Sequence, residues 1–174
     1  MPLPPDRHIV LIGLMAAGKS VVGRELAARH GLAFVDTDQL VENRYGPIPD
    51  LFACRGESFF RQAEARAVAA ALEAPGSSVV SLGGGAVLDS GTQQLLRRSL
   101  VVFLDTDLET VLPRISRPSN RPLLAQNPAE RWQELARRRG PVYQSLADIT
   151  LDTRGKSVPA IVDRLTEVLT EGEY

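Results

Sequence analysis

A parallel α/β fold in three layers, α/β/α, is what this sequence predicts, and three observations carry the expectation. Five short runs rich in Val, Ile, Leu and Phe recur along the 174 residues. Each is apolar throughout instead of alternately apolar and polar, as in a strand buried on both faces. Stretches of helical pattern separate them, and strand alternating with helix makes a parallel sheet covered on both sides.

The elements follow in order. The first strand is expected over His8–Ile12 and the first helix over Lys19–His30, closed by Gly31 as a left-handed cap. The second strand, Ala33–Val35, is followed by a helix at Ser58–Glu73, and the third, Val79–Leu82, by a helix at Thr92–Arg98. A fourth strand at Leu100–Leu104 leads into a helix at Leu108–Ile115, which Pro113 should kink or shorten. Asn127-Pro-Ala-Glu130 sets an N-cap, a first-turn proline and a capping-box glutamate in the right order, so the next helix is expected over Pro128–Arg139. A fifth strand at Ile149–Leu151 and a helix at Val158–Thr170 complete the series. Between Ile115 and Asn127 the chain is too polar and proline-rich for regular structure. It reads as a mobile surface loop, with a lid over about 114–127 as its natural use. With no linker between halves, residues 1–174 are expected to form one domain.

Composition narrows the function. A formal net charge of −1 gives no global field for nucleic acid or an anionic membrane, and no run approaches the length of a membrane span. The start lacks the cationic and apolar regions of a signal peptide. Cys54 is the sole cysteine, which excludes an internal disulfide and a cysteine metal cluster and fits a reducing compartment. A cytoplasmic protein, monomeric and without nucleic-acid or membrane partners, is the expectation.

Gly13-Leu-Met-Ala-Ala-Gly-Lys-Ser20 satisfies GxxxxGK[ST] between a strand and a helix. Successive backbone N–H groups there can wrap a phosphate at the helix N-terminus. Lys19, one of only two lysines among twenty basic residues, can reach the β- and γ-phosphates, and the Ser20 hydroxyl can ligate Mg²⁺. Switches and kinases share such a loop. A GTP switch is the weaker class, since none of Asn43, Asn120 and Asn127 sits in an NKxD motif.

The acceptor side is carried by four stretches. Asp36-Thr-Asp38 puts two carboxylates at the carboxyl end of a parallel strand, where two residues apart on an extended chain face one side. One can serve Mg²⁺ and the other a substrate hydroxyl; the alternative is a solvated turn capping the next helix. Arg61, in Gly56-Glu-Ser-Phe-Phe-Arg-Gln-Ala-Glu64, could equally be a helix-face arginine paired to Glu57 or Glu64. Gly83-Gly-Gly85 ends a strand with no side chains, allowing close backbone approach to a ligand. Arg137-Arg-Arg139-Gly-Pro-Val-Tyr143 places a basic cluster at a helix end, where the dipole welcomes it regardless of function.

GLMAAGKS, DTD, GESFFRQAE, SLGGGAV, NRPLLA and RRRGPVY occur in an order and spacing that resemble the shikimate kinase family over essentially the whole chain. The resemblance implies a nucleoside-monophosphate-kinase-like P-loop fold with a five-stranded parallel sheet of order 2-3-1-4-5. It implies phosphorylation of the 3-hydroxyl of shikimate by MgATP, a step of aromatic amino acid biosynthesis. By the same resemblance the nucleotide lies on Gly13, Ala16, Ala17, Gly18, Lys19, Ser20 and Val21. Arg114 stacks on adenine and Arg121 swings in from the lid. Asp36 and Ser20 serve Mg²⁺, Asp38 holds the ring hydroxyls, Arg61 and Arg139 clamp the carboxylate, and Gly83, Gly84 and Gly85 line the floor. Lys19, Asp38 and Arg121 form the catalytic set.

The physical chemistry agrees. Two arginines on separate elements suit a planar carboxylate, which guanidinium binds in bidentate fashion. Seven arginines against two glutamates between Val111 and Gly140 make the lid side cationic, which suits a triphosphate. Ala16, Ala17 and Val21 depart from the family pattern of Gly-Ala or Gly-Ser and Thr. Alanine at 16 costs of order 1 kcal/mol if φ is positive there, with reduced ATP affinity as the expected consequence. A gluconate-type or other small-polyol kinase on the same fold, or a nucleotide-binding module without turnover, would share the loop.

Overall fold

Five parallel strands lie in the order β2-β3-β1-β4-β5, as the resemblance implies. They are β1 (Ile9–Ile12), β2 (Ala33–Asp36), β3 (Ser78–Ser81), β4 (Leu100–Asp105) and β5 (Ile149–Asp152), each within two residues of its predicted bounds. The computed structural model describes residue 3 and residues 6–117, 122–124, 126–172 and 174. Among the described residues no helix is long and apolar enough to cross a membrane.

The continuous apolar character of the central strands has its cause in two cores. Val10, Ile12, Val80, Val101 and Phe103 face one layer, while Ile9, Leu11, Val79, Leu100 and Val102 face the other. Register keeps them in rows, Ile9 lying between Val79 and Leu100. The second layer is built by α1 (Lys19–His30) and α7 (Val158–Glu171), through Leu26, Ile161 and Leu165. The first is built by α3 (Ile48–Leu72), α4 (Ser90–Leu96), α5 (Leu108–Ile115) and α6 (Pro128–Leu146).

Several expectations are corrected. A helix, α2 (Thr37–Tyr45), follows β2 directly, because the Asp36 carboxylate accepts from the amides of Asp38 and Gln39 and caps it. Asp36 and Asp38 are therefore not two residues of one extended strand. The Arg61 helix begins just past Gly56, whose φ of 80° and ψ of 170° break the helical path, close to the expected start at Ser58; what the sequence reading missed is the helical segment from Ile48 up to that kink, the first part of α3. Pro113, sixth of the eight residues of α5, neither shortens the helix nor moves its ends: it removes only the bond to the Glu109 carbonyl. Asn127 precedes α6 as expected, but in the left-handed region with φ of 45° and without a side-chain cap. That helix runs past Arg139 through Gly140 and Pro141 to Leu146. The lid expectation falls largely on 118–121 and 125, outside the described residues; Pro122–Leu124 within it form one 3₁₀ turn, with Leu124 buried in the core.

Candidate active site

The phosphate loop bridges β1 and α1 at the carboxyl edge of the sheet. Gly13, with φ of 146°, leaves no room for a side chain: a Cβ there would lie 2.9 Å from the Leu104 carbonyl oxygen. Gly18 has φ of 92°, and Ala16 carries φ of 64°, the positive value its position in the motif foreshadowed. The Met15 carbonyl accepts from Trp132 Nε1 at 3.0 Å and the Ala16 carbonyl from Arg114 Nη1 at 2.7 Å. Lys19, the first residue of α1, is largely buried and donates from Nζ to the Gly13 and Leu14 carbonyls at 2.9 and 2.8 Å. Ala17 instead turns its methyl into the core beneath the loop.

Ser20 and Asp36 meet at the next level. Ser20 Oγ donates to Asp36 Oδ2 at 2.6 Å, while Asp36 Oδ1 caps α2. The capping alternative weighed for the acidic pair thus holds at Asp36, whose second oxygen is turned to Ser20. Asp38, in the first turn of α2, faces the cavity. Burial raises its pKa, as does Asp36 beside it, against the pull of Lys19.

The acceptor wall is a charged network laid over the three glycines. Arg61 Nη1 donates to Glu64 Oε1 at 2.8 Å, and Nη2 to Glu57 Oε1 at 3.4 Å, so the helix-face pairing holds as well. Glu64 is 2% exposed, and burial raises its pKa against the opposing pull of Arg61. Arg139 is 5% exposed and lies against the Tyr143 hydroxyl; among the described residues its Nη1 is fully buried and finds no partner at hydrogen-bond geometry. Burial lowers its pKa, yet a guanidinium stays protonated. Tyr143, fully buried one turn along α6, donates to the Gly84 carbonyl at 2.5 Å, stacks on Phe103, and has a pKa pushed up by burial to about 12.

Gly83, Gly84 and Gly85 all keep ordinary negative φ or extended backbone, so freedom of φ is not why they are glycines. Space is. A Cβ at 83 would lie 2.5 Å from Glu64 Oε2 and 2.8 Å from Asp38 Oδ1; at 84, 3.3 Å from Arg139 Nη1; at 85, inside the Arg61 guanidinium. The glycines make room for the charged groups that crowd the floor.

All this converges on one cavity of about 490 Å³. Ala16, Gly18, Lys19, Ser20, Val21 and Arg114 line one end, and Asp38, Arg61, Arg139 and the three glycines the other. Phe52 and Phe60 supply an apolar wall. Of the expected site residues, Gly13 and Ala17 shape the loop without lining the cavity, Asp36 does not line it and meets it only through Ser20, and Arg121 lies outside the described residues. Sequence reasoning assigned no role to Trp132, Tyr143, Phe52 or Phe60, and Glu64 only that of a surface partner for Arg61, not of a buried acid under the glycine floor. Tyr143 stood inside a quoted motif and Glu64 three residues from Arg61, while nothing local marked Trp132, which acts across 117 residues.

The shikimate kinase family model matches residues 15–170. The chain belongs to the shikimate kinase family. It is 45% identical over 152 residues to the shikimate kinase of Xanthomonas campestris pv. campestris, covering 86% of this chain and 84% of that one. To the shikimate kinase of Moorella thermoacetica it is 44% identical over 164 residues, covering 93% and 94%. A solved shikimate kinase from Acinetobacter baumannii, in complex with shikimate, superposes with a TM-score of 0.91 at 32% identity, covering 96% of this chain and 94% of that one. The family's span on this chain takes in the phosphate loop from Met15 onward, the acidic pair, the glycine floor and both arginines.

Proposed function

We propose that this chain performs the reaction of its family, ATP-dependent phosphorylation of the 3-hydroxyl of shikimate, with the residues of this cavity in the following roles. The observation that carries the assignment is Arg139, which lines the same cavity as the phosphate loop beside Arg61 and the glycine floor, with a buried Nη1 that has no hydrogen-bond partner among the described residues. An orphaned buried guanidinium N–H is destabilising until an anion fills the place, and a ring carboxylate does so in bidentate fashion. Arg61 and Arg139 hold that carboxylate, with Glu64 fixing the plane of Arg61 and Tyr143 the backbone of Gly84.

Asp38 accepts the proton of the attacking hydroxyl. Burial raises its pKa and so brings its basicity nearer to working pH. The hydroxyl oxygen forms its bond to the γ-phosphorus as the bond to the β–γ bridging oxygen breaks, ADP leaves, and the proton stays on Asp38. Lys19 and the loop amides stabilise the charge spread over the equatorial oxygens. Ala16, Gly18, Ser20, Val21 and Arg114 seat the nucleotide. Ser20 and Asp36, a hydroxyl and a carboxylate already side by side, fit Mg²⁺, which takes few protein ligands and completes its shell with phosphates and water. When bound, the ion neutralises the β- and γ-phosphates.

A steady-state assay with MgATP and shikimate tests the reading. Shikimate-dependent ADP release well above the ATP-alone rate is expected; a rate at background, or gluconate serving in place of shikimate, overturns it. The enzyme is read as a cytoplasmic monomer without nucleic-acid partners, and light scattering should return about its 18.9 kDa chain mass.

A further inference from the structure

The phosphate loop holds an alanine where its backbone is left-handed, and two of its carbonyls in a row are tied from outside. Arg114, which takes the Ala16 carbonyl, is exposed, so water competes for that bond. Trp132, which takes the Met15 carbonyl at 3.0 Å, is 3% exposed and packed within the core formed by α5, α6 and the sheet. A left-handed non-glycine residue persists only where its surroundings over-determine it. The buried indole, fixed by packing on all sides, is the rigid constraint next to Ala16.

We propose that Trp132 is a positioning residue for the nucleotide half of the site: its N–H holds the Met15 carbonyl and thereby keeps Ala16, and the loop amides with it, in the phosphate-binding conformation. Trp132, Arg139 and Tyr143 are spaced by seven and four residues, which puts them on one face of α6. One helix therefore braces the phosphate loop near its start and the acceptor floor further along. This inference rests on reading the loop as the nucleotide site.

Trp132→Phe keeps an aromatic ring but loses the indole's five-membered ring with its N–H. Its KM for ATP should rise about fivefold, the scale of one neutral hydrogen bond, while kcat and KM for shikimate stay at wild-type values; the thermal midpoint falls with the smaller ring, and by a similar amount when residue 16 is glycine. In an Ala16→Gly background, where the loop is unstrained, the same change should raise KM for ATP less than about twofold. No rise in KM for ATP, an equal rise in both KM values, or the same loss in both backgrounds would overturn the proposal. Loss of shikimate phosphorylation by the wild-type enzyme would instead count against the functional reading. Trp132 is the chain's sole tryptophan, so the unaltered protein gives a check should the variant not fold. Titration with ADP should shift its emission with the midpoint that calorimetry gives for ADP binding, and unchanged emission at saturation contradicts the contact.

Discussion

At Asp38, the pH dependence of the molecule and its chemistry meet. Burial, with Asp36 adding to it, lifts this carboxyl above its ordinary pKa. A carboxyl raised on folding binds its proton more tightly in the native chain than in the unfolded one. Its contribution to stability therefore falls as pH climbs from the ordinary carboxyl value through the native value. Asp38→Asn removes that penalty. Thermal melts should place this variant above wild type at neutral pH, with the gap closing as pH falls to about 4, while phosphorylation drops at least about 100-fold for want of a base. A lower midpoint at neutral pH would contradict the electrostatic account. Ala16→Gly lies on the same scale: strain relief of about 1 kcal/mol, partly offset by a more flexible unfolded chain, should raise the midpoint by about 2 °C. Gly83→Ala has no such latitude, since the new methyl would press on Glu64 and Asp38 at once. KM for shikimate should rise at least about tenfold with the ATP value unchanged, as the cost of displacing buried acids is of order 1–3 kcal/mol.

At the scale of elements, periodicity and glycine–proline punctuation carried the sequence reading well where a run was long and both of its ends were marked. The strands and α1, α5 and α7 fall close to their expected bounds because each has its own apolar face and a local stop. The failures share a physical cause in tertiary contact. Nothing apolar and periodic announces α2, whose start is fixed by an Asp36 carboxylate also held by Ser20, sixteen residues earlier. For α6, Gly140-Pro141 reads as an end, yet the helix continues because Tyr143 is fully buried against Phe103 and tied to Gly84. Tyr143→Phe should leave α6 intact, since the ring supplies the packing, and raise KM for shikimate about fivefold through a looser Gly84 and Arg139. An unchanged KM would mean that the hydroxyl serves the fold alone. The candidate site was legible wherever chemistry is written in consecutive residues, as in the loop and the glycine floor. It was hidden wherever a role depends on a partner far along the chain, as for Trp132.

For the molecule as a whole, the sheet order matters most. With β1 between β3 and β4, the phosphate loop emerges at the centre of the carboxyl edge. The glycine floor after β3 and the acids after β2 lie on one side of it. Nearly neutral overall, the chain concentrates opposite charges in one cavity, so its binding field is local and weakly screened. The central claim is that Arg61 and Arg139 converge there on the carboxylate of the acceptor. Calorimetric titration of shikimate into wild type and into Arg139→Ala tests it most directly. The account predicts saturable binding by the wild type and at least about a 100-fold weaker affinity in the variant, from roughly 3 kcal/mol of charge-assisted bonding. Equal affinity in the two proteins would contradict it.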